Sequence, residues 1–587
     1  MNYFYYFNKD TDLDELLVIL YREYPQYIQQ PIRLKSLIAT IKTSEITMVV
    51  ETGYVDKQYR DTYYSYFSQK YSSFNRNCLR LSFFEGNVDQ DYITKNSIDL
   101  VEKVFIGVVV LRPLNVGNIG TTLLNPRKLK VKGYMQFCKF KVMICGKKIS
   151  FDAFPFSSQD AETMTCAETA LFNLINYYGH KYPEYRILMP GEILDSLERT
   201  HYERVLPAKG IGDEYITKVL SESHLYPRLY SYVDNFDELL YTYIESGIPL
   251  ILGLPRHVVI CIGHGCINKE LLNSRTDDLI DYSEFDSFTF YYINPSTLIN
   301  EFIIMDDNGE PYNQRKINIL TQEYYEQSNL PMQMTVVDEI DPIYDYDNEN
   351  DGNTSFEVDN LDDIFQSENS NSYYSLSKVK YNFDSIIVPL HRRVYIDAAR
   401  AKEIFTKLFL ENELFIKELK NVYSDDDWIT SKKNPLLWRM FLTTSSNFKE
   451  FKSNASGDEV MRSTYINSPY PHFIWILELG TIKCYEEKKA RVEVILDATS
   501  SIHSANRGIL SIRYNGHYVF VPKLLDTVNI NDLIANELQE ENSSEHNTEK
   551  TFRKNTLTKI FYALYNSKCN YVESTFDVFS NTNLKEV

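Results

Sequence analysis

The order of hydrophobic patterns in this 587-residue chain predicts an α+β protein. In its middle third, segments with helical spacing come first. Consecutive strand-like runs follow, with no helix between them, as in helices packed on an antiparallel sheet. The chain is too long for one hydrophobic core, and at roughly 150 residues per domain it holds about three or four. Its apolar content, 43%, is that of a folded protein and not of a disordered one.

Residues 1–150 are expected to form an N-terminal α+β domain. "DLDELLVILYREY" has helical spacing, and "EKVFIGVVVLRPL" is a buried strand ended by Arg112-Pro113. "KGYMQFCKFKVMICGKKISF" alternates and predicts a hairpin turning at Gly146-Lys147-Lys148. Residues 151–330 form the expected central domain. A helix over 166–178 opens it, "GIGDEYITKVLSESHL" is helical, and "NFDELLYTYIESG" is a helix stopped by Gly247 and Pro249. The strands "PLILGL", "HVVICIG", "FTFYYIN" and "EFIIM" follow, the last ending at the turn "DDNGEP". Residues 331–378 are expected to be an acidic linker or surface insertion, since 338–377 contain no Lys or Arg. Within them "DNENDG" (347–352) imitates a calcium loop, but its twelfth position is Val358 where a bidentate Glu is needed. Residues 379–587 form a further α+β domain. It has a helix in "DAARAKEIFTKLFLENELF" and strands in "HFIWILELG", "ARVEVILDA", "GILSIRY" and "GHYVFVPKLL". A polar break, "ELQEENSSEHNTEK", precedes a final helix. Asp497, His472, His503 and His517 lie in this region without the spacing of a metal site.

Composition excludes several function classes. A net charge of −20 leaves no bulk basic face for phosphate neutralisation, so no nucleic-acid partner is expected. The eight cysteines form no CxxC pair and are too few for a disulfide scaffold; no metal and no cofactor is expected. "MNYFYYFNKDTDLDELL" lacks the features of a secretory leader, and "VFIGVVVL" and "HVVICIG" are half the length of a membrane span. A cytoplasmic location with reduced thiols and no membrane contact is expected.

The chemistry-bearing stretch is "SSQDAETMTCAETALFN", residues 157–173. Thr165 and Glu168 fit a capping box, which places Cys166 at the first position of a helix. Free N–H groups and the positive end of the helix dipole favour a thiolate there, the attacking species of a cysteine nucleophile. Cysteine is also a common small core residue, and Cys166 lies in line with Ala170 and Leu174. A nucleophile needs a base, and His257 opens the strand "HVVICIG" after a loop. The base needs an orienting group, and "EFIIMDDNGEPY" ends a strand in Asp306-Asp307. Asp307 and Asn294 are alternative orienters, and His264 in "IGHG" is the alternative base. Gln159 could share an oxyanion site with the backbone N–H of Cys166.

The order Gln, Cys, His, Asp, with a helix before the strands, resembles the papain-like cysteine peptidase superfamily. It is most similar to bacterial family C39-type peptidases and related cytosolic domains. The resemblance rests on "QDAETMTC", "KGIGDEYITKVLSESHLYPRLY", "SGIPLILGL" with "HVVICIGHG", and "FIIMDDNGEPY", and covers about residues 160–315. It implies a papain-like central domain, a helix bundle packed on an antiparallel sheet, flanked by two α/β-mixed domains. It implies Cys166 as nucleophile, His257 as general base and acid, Asp306 as orienter and Gln159 in the oxyanion hole. The family usually has six steps from Gln to Cys where this chain has seven, a difference that a one-residue bulge would absorb. The glycine that often follows the nucleophile is Ala167 here. The flanking "VFIGVVVLRPLNVGNIGTTLLNP" and "HFIWILELG" resemble segments of uncharacterised bacterial proteins with such a central domain. The implied function is a cysteine peptidase acting on a protein or peptide, with flanking domains that choose the substrate or meet partner proteins. A Cys-dependent acyltransferase, a catalytically idle scaffold and a regulated peptidase of a bacterial defence system share the same features.

Overall fold

The computed structural model describes residues 2–199, 205–208, 210–231, 236–254, 257–268, 271, 280–282, 290–299, 301–315, 317–319, 381–383, 385–410, 435–457, 459–500, 508–514, 517–520, 576–577, 579 and 584–587. Helices and strands both build it, as α+β requires. The linker 331–378, with its calcium-like run 347–352, lies outside the described residues, as do His503, "ELQEENSSEHNTEK" and the helix expected after it.

The N-terminal sheet is an antiparallel meander of five strands in chain order: β1 (Asn2–Asn8), β2 (Glu45–Tyr54), β3 (Cys78–Glu85), β4 (Phe105–Leu111) and β5 (Ile119–Leu124). Helix α1 (Leu13–Glu23) buries Leu13, Leu16, Leu17 and Leu20, the i, i+3, i+4, i+7 stripe of an amphipathic helix. Helix α2 (Pro31–Ala39) starts on a proline, whose missing N–H costs nothing at a helix start. Both pack into the same core as β2 to β4. Helix α3 (Lys57–Ser65) covers a second, smaller core around Phe67, Cys78 and Val110. Two short helices, α4 (Gln90–Lys95) and α5 (Ile98–Val104), lead into β4.

After β6 (Tyr134–Met135) comes the expected hairpin, β7 (Cys138–Ile144) and β8 (Lys147–Ala153). Its turn falls one residue earlier than expected. Ile144 faces Lys147 across a two-residue loop, Cys145-Gly146, in which both residues have positive φ (47° and 77°). Such two-residue loops match the twist of the strands, and this outweighs the pull of the glycine-lysine run.

Helix α6 (Cys166–Lys181) follows, then α7 (Pro190–Glu198), α8 (Asp213–Glu222), strand β9 (Tyr226–Ser231) and α9 (Phe236–Glu245). The central sheet is built on β10 (Leu250–Leu254) and β11 (His257–His264). Strands β12 (Ile280–Tyr282) and β13 (Phe290–Ile293) leave it, and β14 (Phe302–Met305) and β15 (Asn313–Arg315) return to it. Beyond β16 (Ile317–Ile319) and β17 (Tyr381–Phe383), which pair with each other, β18 (Ser385–Leu390) completes the sheet. Its order is β15-β14-β11-β10-β18-β9, with β6 attached to β11.

Side chains alternate across this sheet. Val258, Ile260 and Ile262 enter one core with Leu171 and Leu174 of α6 and the N-terminal sheet. Val259 and Cys261 enter another with Leu240 and Ile244 of α9. A sheet covered on both faces needs apolar residues at successive positions, and that is why "PLILGL" and "HVVICIG" are continuous apolar runs.

Helix α10 (Ala398–Leu410) joins the second core. The C-terminal sheet uses β19 (Leu436–Thr444), β20 (Phe473–Gly480), β22 (Val492–Asp497), β23 (Ile509–Tyr514) and β24 (His517–Phe520), with β21 (Lys489–Ala490) outside it. Helices α11 (Ser445–Asn454) and α12 (Glu459–Asn467) lie between β19 and β20. Strand pairing crosses the expected boundaries. The "FTFYYIN" strand, β13, pairs with β19 and so belongs to the C-terminal sheet, whereas β18, from beyond residue 379, lies between β10 and β9. No helix among the described residues is long and apolar enough to cross a membrane.

Candidate active site

Three segments meet at one end of the central sheet. Helix α6 begins at Cys166, and its capping box is formed: Glu168 Oε2 accepts the N–H of Thr165 (3.1 Å) and its hydroxyl. Glu168 is buried, which pushes its carboxyl up against the opposing pull of these bonds. The helix packs into the same core as β11, which brings its first residue over the start of that strand. His257 is the first residue of β11, opposite Leu254 of β10. Strand β14 runs antiparallel to β11 with Met305 opposite Ile260, so the residues after β14 come back toward His257.

The imidazole joins these segments. His257 Nε2 lies 2.9 Å from Asp306 Oδ1 and 3.7 Å from Asp307 Oδ1. The Cys166 side chain lies near enough to the ring to raise its basicity. With Nε2 committed to Asp306, Nδ1 is the nitrogen left for the sulfur. Burial alone would lower the basicity of this histidine. The hydrogen bond to Asp306, the neighbouring Cys166 side chain and the charges of Asp306 and Asp307 override it and hold His257 well above its ordinary value. The histidine keeps a window to solvent, with a side chain 20% exposed, and Cys166 is half-buried.

Asp306 therefore takes the place expected of it. Asp307 is buried beside it, and its two carboxylate oxygens have no hydrogen-bond partner among the described residues. Burial, reinforced by the charge of Asp306, pushes the Asp307 carboxyl up, against the pull of His257 and Arg33. Asn294 is engaged elsewhere: its side-chain oxygen caps a 3-10 turn by accepting the Ser296 N–H (2.9 Å). His264 sits at the far end of β11, fully buried, with Nε2 3.1 Å from Glu245 Oε1 and Nδ1 2.7 Å from the Gly265 carbonyl. The "IGHG" run suggests a turn histidine, but His264 belongs to a buried ionic network.

Gln159 lies beside the acid loop. Its side-chain N–H donates to Asn308 Oδ1 (2.6 Å), and the Asn308 backbone N–H donates to Asp306 Oδ1 (2.9 Å). Between Gln159 and Cys166 the chain makes a tight turn. Asp160 N–H reaches the Met164 carbonyl, and Asp160 Oδ1 accepts the N–H groups of Glu162, Thr163 and Met164. Within that turn Ala161 has φ +58°, in the left-handed region.

Ligand atoms of His257, Asp306 and Asp307 lie within 4.8 Å of one another, and they are the residues that could hold a metal ion. One imidazole and two carboxylates suit a divalent cation. His472 and Asp497 join no such group among the described residues.

Sequence reasoning missed the residues that hold these loops. Arg33 on α2 donates from Nη2 to the carbonyls of Asp307 and Gly309. Arg112, read only as the end of a strand, donates from Nε to the Gly117 carbonyl (2.7 Å) and from Nη2 to that of Ser158 (2.8 Å). An arginine at the end of an apolar strand is a signal for a buried cation, but its acceptors are carbonyls, which no side-chain pattern reveals.

The arrangement defines a thiol, an imidazole and a carboxylate in series at a helix start. Compared with family models, with curated proteins and with solved structures, the chain matches none of them.

Proposed function

We propose that this chain is a cysteine peptidase of papain-like design that cleaves peptide or isopeptide bonds through an acyl-enzyme. The observation that carries the reading is the series Cys166–His257–Asp306. Its members come from separate segments, and the imidazole has the thiol beside it and Asp306 Oδ1 at 2.9 Å from Nε2.

In the first step the Cys166 proton passes to His257 Nδ1, and the sulfur attacks the carbonyl carbon of the substrate. The carbonyl π pair moves onto oxygen. That oxyanion meets the backbone N–H of Cys166 at the free end of α6, and the Gln159 amide once it turns from Asn308. The intermediate collapses to a thioester, and the amine leaves with the proton from His257. Water then attacks the thioester while His257 takes its proton, and the acid and the free thiol are released. Asp306 keeps Nε2 protonated throughout and stabilises the imidazolium.

The contact between sulfur and ring also weighs against an idle scaffold, for which a separated thiol and imidazole would be expected. An acyltransferase differs only in the second nucleophile, an amine in place of water. The test is cleavage of a library of fluorogenic peptides and isopeptides by wild type and Cys166→Ala, with and without added amine. Hydrolysis lost in the variant supports the peptidase. Product formed only with an amine favours the transferase. Equal turnover by both proteins contradicts a role for the thiol.

A further inference from the structure

The flanking region before residue 151 was expected to select substrate. Its contacts also reach the site itself. Each of the three site segments is anchored by a separate part of it. The acid loop is held by Arg33 of α2, whose Nη2 donates to the backbone carbonyls of Asp307 and Gly309 (3.1 Å to the latter). The loop before Cys166 lies against β5: Thr122 and Phe156 form an antiparallel bridge, and Ser158 N–H donates to the Ile119 carbonyl. Arg112, fully buried, bonds the Ser158 carbonyl. The histidine strand is paired by β6, with Gly263 opposite Met135 and His264 opposite Tyr134.

We propose that Arg33 is a positioning residue for the thiol chemistry: by fixing the backbone of residues 307–309 it sets where Asp306 stands against His257. The inference rests on the cysteine peptidase reading. The chain of contacts is short. Asp306 Oδ1 receives both His257 Nε2 and the Asn308 backbone N–H (2.9 Å each), and Asn308 lies between the two carbonyls that Arg33 grips. A charged donor to carbonyl oxygens is stronger than a neutral one, and the two N–H bonds of the planar Nη2 fix the directions of both acceptors, which the freely rotating ammonium of a lysine does not. The charges around this point are Arg33, Arg112, Asp306, Asp307 and Glu310, with His257 and Cys166 beside the two aspartates. Released from Arg33, the loop loses its tie to α2 and keeps Gln159 on Asn308 and Tyr312 on the Leu124 carbonyl, so residues 307–309 can shift and carry the carboxylate away from the ring. A misplacement of about 1 Å at such a site is enough to cost on the order of 10²-fold.

The test uses the full chain and iodoacetamide, with the labelled cysteine mapped by mass spectrometry across a pH series. Wild type is compared with Arg33→Ala, Arg33→Gln and Arg33→Lys. The expected result is a loss of at least about tenfold in Cys166 labelling near neutral pH in Arg33→Ala, as loop misplacement predicts. The acidic limb of the profile moves to higher pH, Arg33→Lys recovers part of the loss, and exposed Cys266 labels unchanged. Should Arg33→Ala fail to fold, Arg33→Gln against Arg33→Lys gives the same comparison, with glutamine the slower. Labelling of Cys166 in Arg33→Ala or Arg33→Gln at the wild-type rate and with the wild-type profile overturns the proposal, as does an equal loss in the lysine variant. These results leave the peptidase reading standing. Wild-type Cys166 that labels no faster than Cys266 brings down that reading and this inference with it.

Discussion

Cys78, Cys138 and Cys261 are sealed in the core, and burial pushes each of their thiols up. Cys166 differs in having a helix start beneath it and a ring beside it. The histidine is the better handle on this pair. His257 is held above its ordinary value, so its protonated form stabilises the fold in full below about pH 6.5, and the contribution is lost as pH rises through the raised value. Urea unfolding of wild type and His257→Gln should therefore show a stability gap that shrinks from about pH 6.5 upward, by on the order of 1 kcal/mol for each step of one in pH. A gap that widens with pH would contradict the pairing. Asp306→Asn keeps an acceptor for the ring but removes the charge, and turnover or thiol labelling should fall about 10²-fold. An unchanged rate would move the orienting role to Asp307, whose oxygen lies farther away at 3.7 Å.

At the scale of elements, most of what positions the site was legible. The helix at Cys166 was written in Thr165 and Glu168, and the strands at His257 and before Asp306 in their apolar runs and turn residues. What could not be read is which strands pair. "SIIVPL" at 385–390 is an ordinary apolar run, and nothing local says that it fits between β10 and β9. Likewise "FTFYYIN" carries no mark that sends it to the C-terminal sheet. Pairing is decided by tertiary burial, which a window of sequence does not contain. Glycines show the same limit. Gly117 (φ +66°) lies so close to the loop before Cys166 that a Cβ would collide with the Gln159 carbonyl oxygen, whereas Gly53 (φ +70°) has open space. An alanine in this conformation costs about 1–2 kcal/mol at either position. Only Gly117→Ala should, in addition, slow Cys166 labelling; thermal unfolding and alkylation of the two variants separate strain from clash. Equal labelling in both would mean that the loop yields freely.

At the scale of the whole molecule, buried charge ties the central sheet to the C-terminal one. Glu245 of α9 accepts from His264 of β11 and from Arg439 of β19 (2.9 Å), and Arg439 reaches Glu478 of β20 (2.6 Å). The row continues across the sheet in register, Arg439, Glu478, Glu493 and Arg513, with Lys452 of α11 on Glu493 (2.6 Å). Burial alone would raise Glu245, but Arg439 and His264 hold it at about 2. Its contribution is present above about pH 4.5 and is lost as pH falls through about 2. Glu245→Gln leaves Arg439 half-compensated in the interior and should cost about 3–5 kcal/mol at neutral pH. Denaturant unfolding should show that cost vanish near pH 2, and a cost below about 1 kcal/mol at pH 7 would show that the row is not a structural tie. The state of a single sulfur, that of Cys166, can be measured in the intact chain. Limited iodoacetamide labelling of the native protein from pH 5 to pH 9, followed cysteine by cysteine, is the most direct test. The account predicts that Cys166 reacts faster than exposed Cys266 from the acidic end of that range onward, and that His257→Gln removes the advantage. Cys166 reacting at or below the rate of Cys266 throughout would contradict it.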